Sequence, residues 1–483
     1  MARMLQILAL PHAPGQAGKK ETKGFHIDTM ERNLTSGSVL KNMLWFSLPY
    51  FLSYFLQTLY GMADLYIIGQ FEGVAATTAV SVGSQLMHMV TVVIVGLAMG
   101  TTVCVGRAVG AQDKKRAATD IGNTVVLFAA VALALTAVLL VFVRQIVSLM
   151  STPEEAADGT SEYLTICFIG IPSITAYNLI SSIFRGMGDS RSPMYFVAIA
   201  CCANIALDYL FIGALGMGPS GAALGTTLSQ TISVSAALCM LPRLKSGIKL
   251  KGEDFRPRRE VMGQLLKNGV PIAFQDGLIQ VAFLVITVIA NRRGLNDAAA
   301  VGIVEKIITF LFLVPSALLA TVSAVGAQNI GAGKPERAVK TLEYAVGIAV
   351  IFGLIVGIAA QFVAEPVVSL FTDADDGAEV IRLGGEYLRG YIWDCLFAGI
   401  HFSFSGYFCA IGKSWLSFLH NICAIVLARI PLVYLASVLY PDTLLPMGLA
   451  TVSGSLLSVI VCVTAFAILR YQEKKAPQKQ KNM

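Results

Sequence analysis

Residues 107–122 read RAVGAQDKKRAATDIG and form a short basic stretch between two long apolar runs. A similar stretch, QNIGAGKPERAVKTLE, occupies residues 328–343 at an offset of 221. Gly110-Ala111 aligns with Gly331-Ala332, and Arg116-Ala117 aligns with Arg337-Ala338. Two stretches this similar indicate an internal repeat.

Other segments repeat at nearly the same offset. FRGMGDS (184–190) matches FCAIGKS (408–414) at 224, and SLPYF (47–51) matches GVPIA (269–273) at 222. The nearly constant spacing predicts the duplication of a six-helix unit. Because six is an even number, both copies cross a membrane in the same orientation, which is one of the known transporter plans. Repeats alone also fit channels and receptors.

The composition is that of an integral membrane protein. The chain has 483 residues, of which 55% are hydrophobic and 14% charged, and its mean hydropathy is +0.69. A spanning helix needs about 20 apolar residues. Twelve such runs predict an all-α fold of two parallel six-helix bundles in a V-shaped arrangement: 41–69, 75–106, 117–143, 160–184, 193–213, 219–242, 262–290, 298–327, 338–362, 384–409, 414–438 and 446–470.

The basic residues predict the topology. Most of the 36 Lys and Arg residues lie on one side if the N-terminus is cytoplasmic, as expected for loops that stay inside. We therefore expect a multi-pass protein of the cell (inner) membrane, with both termini cytoplasmic. The predicted parts are an N-terminal segment (1–40), a first lobe (41–242), a basic linker (243–261), a second lobe (262–470) and a tail (471–483). No signal peptide is expected in residues 1–40, and Met30 is an alternative start.

Two carboxylates interrupt the apolar runs of the first lobe. A charged residue at the bilayer centre costs about 2.5–3.5 kcal/mol, so Asp64 and Asp208 should face a cavity or a partner. A rise of 1.5 Å per residue places Asp64 and Thr226 about 9 Å, and Asp208 about 7–8 Å, from the same membrane face. Asn204 lies one turn deeper on the Asp208 face. These oxygen ligands suit Na⁺ or a proton, although Asn and Thr also bridge membrane helices for packing alone.

Several motifs together resemble the MATE (multidrug and toxic compound extrusion) family of cation-coupled antiporters. They are VGAQ with GAGKPERA, the loop RGMGDSRSPM, N-x-x-x-D in the fifth helix, GAALGTTLSQ in the sixth and GMADLYIIGQF at the end of the first. The resemblance covers residues 40–470 and is to members with an Asp pair in the N-terminal lobe. It implies cation-coupling roles for Asp64, Asn204, Asp208 and Thr226, and a related polar position at Asn178.

The second lobe carries its own charges, and we consider Asp394, Glu305, Lys306 and Arg429 as substrate or coupling groups or as structural ion pairs. The match to the family is imperfect here. Asp394 lies one turn outward of the expected Asp, and the seventh-helix Glu is replaced by Gln275, Asp276 and Gln280 nearby. Pro49 and Pro271 are repeat partners and predict kinks, which act as hinges or as static bends.

The predicted function is a secondary antiporter that exports organic, often cationic, compounds in exchange for H⁺ or Na⁺ by rocking. No cofactor, no enzyme activity and no metal beyond Na⁺ at the Asp64 site are expected. The partners are small organic substrates and the lipid bilayer; basic loops without aromatic residues predict no nucleic acid, and a monomer is expected. One alternative is a flippase for lipid-linked sugars of the same superfamily. A remote alternative is an intramembrane aspartyl protease, because GMGD (186–189) matches a G-x-G-D motif.

Overall fold

The computed structural model describes residues 33–150, 152–240, 247–372 and 377–481. The first repeat contains α1 (Val39–Phe71), α2 (Val74–Gly110), α3 (Lys114–Val141), α4 (Val143–Leu149), α5 (Glu154–Gly186), α6 (Arg191–Asp208) and α7 (Gly218–Met240). The second contains α8 (Arg259–Asn291), α9 (Leu295–Leu311), α10 (Leu313–Gly331), α11 (Pro335–Val368), α12 (Ala378–Tyr391), α13 (Asp394–Ala410), α14 (Trp415–Ala424), α15 (Ile430–Leu439) and α16 (Leu445–Lys481). A π-helical turn, Tyr209–Ala214, extends α6, and another, Ile425–Arg429, joins α14 to α15.

These helices confirm the predicted all-α membrane fold. Within the described residues, nine stretches are each long and apolar enough to cross a membrane. Helices α1 and α7, and the pair α12–α13, occupy the other three predicted runs. Most of the predicted N-terminal segment (1–32) and part of the linker (241–246) lie outside the described residues.

The backbone repeats as the sequence does. Gln112, between α2 and α3, has φ 59°, and its repeat partner Gly333, between α10 and α11, has φ 71°. Gly188 and Gly412, which are also repeat partners, have φ 91° and 71°. A left-handed residue is strained when it carries a side chain, so its recurrence at equivalent turns indicates that the turn geometry itself is duplicated.

The two repeats meet at the end that carries Lys114 and the 247–258 segment, here named the basic end. Arg107 of α2 donates to the Ala410 carbonyl from Nε at 3.0 Å and from Nη2 at 2.6 Å. Its repeat partner Gln328 donates from Nε2 to the Gly186 carbonyl at 2.9 Å. Gly186 and Ala410 are themselves repeat partners. We call these two reciprocal contacts the clasp.

Glycines allow the backbones at the clasp to touch. A Cβ on Gly110 would overlap the Gln328 carbonyl, and a Cβ on Gly331 would overlap the Arg107 carbonyl. Further along α2, a Cβ on Gly96 would lie 2.7 Å from the Ala273 backbone. Gly96 precedes Gly110 by fourteen residues, so the close contact between the repeats extends over roughly 20 Å from the basic end.

The segment before each repeat docks on the other repeat. Lys334 and Arg337, at the start of α11, donate to the carbonyls of Thr35 and Gly37, each at 2.9 Å. The segment before the second repeat contacts the first repeat in a similar way. Asn123 of α3 donates to the Asp254 carbonyl at 3.1 Å and accepts from the Arg258 backbone N–H at 2.7 Å. These crossed segments add to the closure of the basic end.

Candidate cation-coupling site

Three helices bring the predicted residues of the first repeat together. Thr226 of α7 donates from its hydroxyl to Asp64 Oδ2 of α1 at 3.2 Å. The Asp208 carboxyl and the Asn204 amide, both on α6, also approach the Asp64 carboxyl. Asp64 is 4% exposed, and Asn204 and Asp208 are 0% exposed. The four predicted residues therefore form one cluster, in which Asp64, Asn204 and Asp208 are buried and Thr226 is half-buried.

The oxygen atoms of this cluster are only partly satisfied. Among the described residues, Asp64 Oδ1, both Asp208 oxygens and the Asn204 amide atoms lack a partner with hydrogen-bond geometry. Buried carboxylate oxygens without donors are costly unless a cation or a proton joins them. The ligand atoms of this cluster suit Na⁺ or a proton, because they are carboxylate, amide and hydroxyl oxygens.

Local backbone structure positions Asp208. It is the last α-helical residue of α6 and is followed directly by the π-helical turn Tyr209–Ala214. Such turns are rare and often occur at functional sites. Opposite, Gly225 of α7 has no side chain, and a Cβ there would overlap Asp208 Oδ1. The carboxyl therefore lies directly against the α7 backbone, one residue before Thr226.

The structure adds residues that the sequence prediction missed. Tyr60, one turn before Asp64 on α1, accepts a hydrogen bond from Gln230 Nε2 at 3.4 Å, and Gln230 lies one turn after Thr226 on α7. Tyr163 of α5, which is 2% exposed, lies near Asp64. The i−4 and i+4 spacing from the predicted residues was the available signal for Tyr60 and Gln230.

Asn178 is buried, but its side chain is hydrogen-bonded within its own helix. Its Nδ2 donates to the Ile174 carbonyl of α5 at 2.9 Å. In the part of the chain that the structure describes, Asn178 makes no hydrogen bond to Asp64 or Asp208. A role for Asn178 stays a prediction.

In the second repeat, Asp394 and Arg429 form an ion pair. Asp394 begins α13, where α12 has just ended, and Arg429 ends the π-helical turn after α14. Arg429 Nη2 lies 2.7 Å from Asp394 Oδ2 and donates to Ser455 Oγ at 3.0 Å. Arg429 thus has an internal counter-charge, and the pair joins three helices.

Glu305 and Lys306 do not contact each other, as expected for neighbours on a helix. Glu305 accepts from the Thr287 hydroxyl of α8 at 3.2 Å, whereas Lys306 is exposed. The predicted hinge residues Pro49 and Pro271 lie inside the unbroken helices α1 and α8. Ser53 donates to the Pro49 carbonyl at 2.8 Å.

Asp189 of the GMGD motif has a structural role. It is 0% exposed and lies in the turn between α5 and α6. Its Oδ1 accepts from the backbone N–H groups of Arg191 at 2.9 Å and Ser192 at 3.0 Å, at the start of α6. Burial raises the pKa of this carboxyl. Asp189 therefore caps a helix and is not part of the Asp64 cluster.

Three comparisons place the chain among known proteins. The sequence profile of the MatE family matches residues 49–210 and 271–435, more than half of the chain. The probable multidrug resistance protein YpnP of Bacillus subtilis (strain 168) is 28% identical over 84% of this chain and 90% of its own length. The FAD transporter of Shewanella oneidensis is 26% identical over 88% of this chain and 93% of its own.

The fold agrees with these sequence matches. A crystal structure of MATE in complex with MaL6 superposes with a TM-score of 0.86 at 23% identity, over 92% of this chain and 99% of that one. Members of the family are transporters and not enzymes, so the aspartyl protease alternative is wrong. The matched profile, the multidrug relatives and the shared helical architecture together establish that this multi-pass membrane protein belongs to the MATE family of drug efflux transporters.

Proposed function

We propose that the protein is a secondary antiporter that exports small organic compounds in exchange for H⁺ or Na⁺. It works as a monomer in the cell membrane, with the basic end in the cytoplasm. Its two lobes, 41–242 and 262–470, rock about their shared interface. The observation that carries this proposal is the buried cluster of Asp64 and Asp208 with Thr226 and Asn204.

The cluster suits ion coupling for an electrostatic reason. Two ionised carboxylates in one buried site repel each other, and one proton or one Na⁺ relieves that repulsion. A site that binds the ion on one side of the membrane and releases it on the other couples the ion gradient to a change of shape. The π-helical turn after Asp208 and Pro49 in α1 are the backbone features nearest in sequence to this change.

The closed basic end supports the interpretation that this conformation is the outward-open state. The clasp and the α2–α8 contacts close the side proposed to be cytoplasmic. Substrate release to the outside then requires no opening at this end. Return to the inward-open state requires the clasp to break, and ion binding at Asp64 and Asp208 supplies the difference in free energy between the two states.

The pattern of bases favours an exporter over a flippase for lipid-linked sugars. A pyrophosphate group needs several free bases. Of the two intramembrane bases that the sequence singled out, Arg429 is neutralised by Asp394, which leaves Lys306. Relatives are described as multidrug and as FAD transporters, so assays should include organic cations and a flavin nucleotide in parallel.

The test is transport in proteoliposomes with a proton gradient or a sodium gradient imposed separately. Asp64→Asn and Asp208→Asn should each abolish gradient-driven efflux, because an amide cannot bind and release the ion in the same way. The gradient that drives the unmodified protein identifies the coupling ion.

Asp158→Asn is the matched control, because Asp158 is an exposed carboxylate in the first turns of α5. It should transport normally, and all variants should insert into the membrane at equal yield. Efflux at the unmodified rate by both Asp64→Asn and Asp208→Asn would refute the coupling role.

A further inference from the structure

Arg185 is a buried positive charge in the last turn of α5, at the basic end of the first repeat. Its residue surface is 7% exposed. No carboxylate among the described residues forms an ion pair with it. By contrast, the buried Arg429 of the second repeat has Asp394 at 2.7 Å. A buried charge without a counter-charge is costly, so the guanidinium of Arg185 requires a negative partner.

The backbone carbonyls at the end of α5 do not supply that partner, because other donors use them. The Ser182 carbonyl accepts from the Thr102 hydroxyl at 3.1 Å, and the Gly186 carbonyl accepts from Gln328 at 2.9 Å. The three carbonyls between these two accept from backbone N–H groups of the following turn, at 2.9 to 3.0 Å. Within the described ranges, the Arg185 guanidinium donates to none of the five.

The side chain of Arg185 instead lies against an aromatic ring of α1. Its Cζ atom is 4.2 Å from the centroid of the Tyr50 ring. A cation over a ring face is attracted to it, but the ring is neutral. The contact therefore orients the guanidinium between α1 and α5 without balancing its charge. The guanidinium can only donate hydrogen bonds, so its missing partner is an acceptor.

Two buried hydroxyl groups lie on the same face of α5 as Arg185. Tyr177 and Ser181 precede it by eight and four residues, which is the spacing of one helical face. Their hydroxyl oxygens lack a partner with hydrogen-bond geometry among the described residues. Both side chains are more than nine-tenths buried. Two free hydroxyl donors beside an uncompensated guanidinium suit an anion, because bonds from a charged donor to an anionic acceptor are the strong ones.

We propose that Arg185, Tyr177 and Ser181 bind a small monovalent inorganic anion such as chloride inside the first repeat. The guanidinium balances the charge of the anion, and the two hydroxyls donate hydrogen bonds to it. The site is enclosed between α1 and α5, which fits a small ion and excludes a bulky organic acid. It is separate from the proposed coupling cluster and is independent of the ion that drives transport.

The test is thermal unfolding of the purified protein at constant ionic strength, with gluconate replaced stepwise by chloride. An ion that binds the folded state raises the unfolding temperature with its concentration. The unmodified protein should show a saturable rise. Arg185→Gln should weaken chloride affinity by about tenfold or more, and Tyr177→Phe and Ser181→Ala by roughly threefold to tenfold each. Arg256→Gln should match the unmodified protein, because Arg256 is an exposed base at the same end.

The two hydroxyl variants keep the buried charge, so they decide the result if Arg185→Gln does not fold. A second measurement is anomalous scattering from crystals of the unmodified protein grown in bromide. A bromide peak within hydrogen-bond distance of the Arg185 guanidinium and the Ser181 hydroxyl is expected. Chloride-dependent stabilisation of equal size in the unmodified protein, Tyr177→Phe and Ser181→Ala would indicate a general salt effect and overturn the site. Bromide peaks confined to the protein surface would overturn it as well.

Discussion

At the scale of single residues, the proposed coupling cluster of Asp64, Asn204, Asp208 and Thr226 depends on the absence of a side chain at Gly225. Asp208 can approach Asp64 and Thr226 because Gly225 leaves the α7 backbone bare at that level. Small residues permit close approach between membrane helices. Here the space is filled by a carboxylate of the neighbouring helix, so the glycine shapes the proposed ion site itself.

Gly225→Ala should therefore impair coupling without removing a functional group. The added methyl group overlaps Asp208 Oδ1, and the carboxyl must move away from α7. Overpacking of this kind typically costs about 1–3 kcal/mol. We expect the ion concentration for half-maximal transport to rise roughly tenfold or more, measured in the gradient assay. Gly302→Ala is the matched control, because a Cβ there meets nothing within 4 Å. Unaltered ion dependence in Gly225→Ala would show that the contact is unimportant.

The sequence predicted these residues unevenly. Asp64, Asn204, Asp208 and Thr226 came from counting helical rise between polar residues in apolar runs, and the structure brings them together. Gly225 carries no chemistry, and its importance depends on which way α7 is rotated against α6. One-dimensional spacing does not determine that rotation, so the contact was not predictable.

At the scale of elements, the second repeat is interrupted where the first continues. Helix α12 ends at Tyr391 and α13 begins at Asp394, whereas the matching part of α5 runs unbroken from Glu154 to Gly186. The π-helical turn Ile425–Arg429 likewise separates α14 from α15. The Asp394–Arg429 ion pair links these two interruptions, and Ser455 of α16 completes it.

Breaking this pair on one side should destabilise the protein more than removing it. Asp394→Leu or Arg429→Met leaves one buried charge unpaired, which costs about 3–5 kcal/mol in comparable cases, while the double substitution is often neutral. Thermal unfolding in detergent should show large losses for the single variants and recovery in the double variant. Gradient-driven transport by the double variant would assign the pair a structural role. Loss of transport in a stable double variant would instead support the predicted coupling role of Asp394 and Arg429.

The sequence did not determine which charged residues of the second repeat pair with each other, because these residues are distant along the chain. Asp394 and Arg429 are separated by 35 residues and by the end of α13. Which charges pair depends on the irregular turns at Ile392–Trp393 and Ile425–Arg429, and an ideal helical rise does not describe such turns. Glu305 illustrates the same limit, because its partner Thr287 lies on another helix.

At the scale of the whole molecule, the duplication was predicted from the sequence. The same duplication also relates the contacts at the interface between the two repeats. The offsets of 221 and 224 that relate residues 107–122 to 328–343 and 184–190 to 408–414 also relate the two halves of the clasp. What the sequence did not reveal is that equivalent segments bind each other. Repeats of the same length pack in many ways, and the glycines at 110 and 331 permit this one.

The two contacts of the clasp differ in hydrogen-bond strength. Arg107 makes two charge-assisted bonds to the Ala410 carbonyl, and Gln328 makes one neutral bond to the Gly186 carbonyl. Bonds from charged donors contribute about 1.5–3 kcal/mol and neutral ones about 0.5–1.5 kcal/mol. If the clasp holds the basic end closed, the two partners should differ in how strongly they bias the conformation.

Arg107→Ala should accordingly open the basic end more than Gln328→Ala does. We expect the open population to increase roughly tenfold or more for Arg107→Ala, and several-fold for Gln328→Ala. The measurement is the distance between spin labels at the exposed positions Lys115 and Lys340, in protein whose native cysteines are replaced. Opening adds a longer distance to the distribution. Arg256→Ala, which changes an exposed base at the same end, should leave the distribution unchanged. Equal distributions for Arg107→Ala and the unmodified protein would mean that the glycine contacts close this end without help from the clasp.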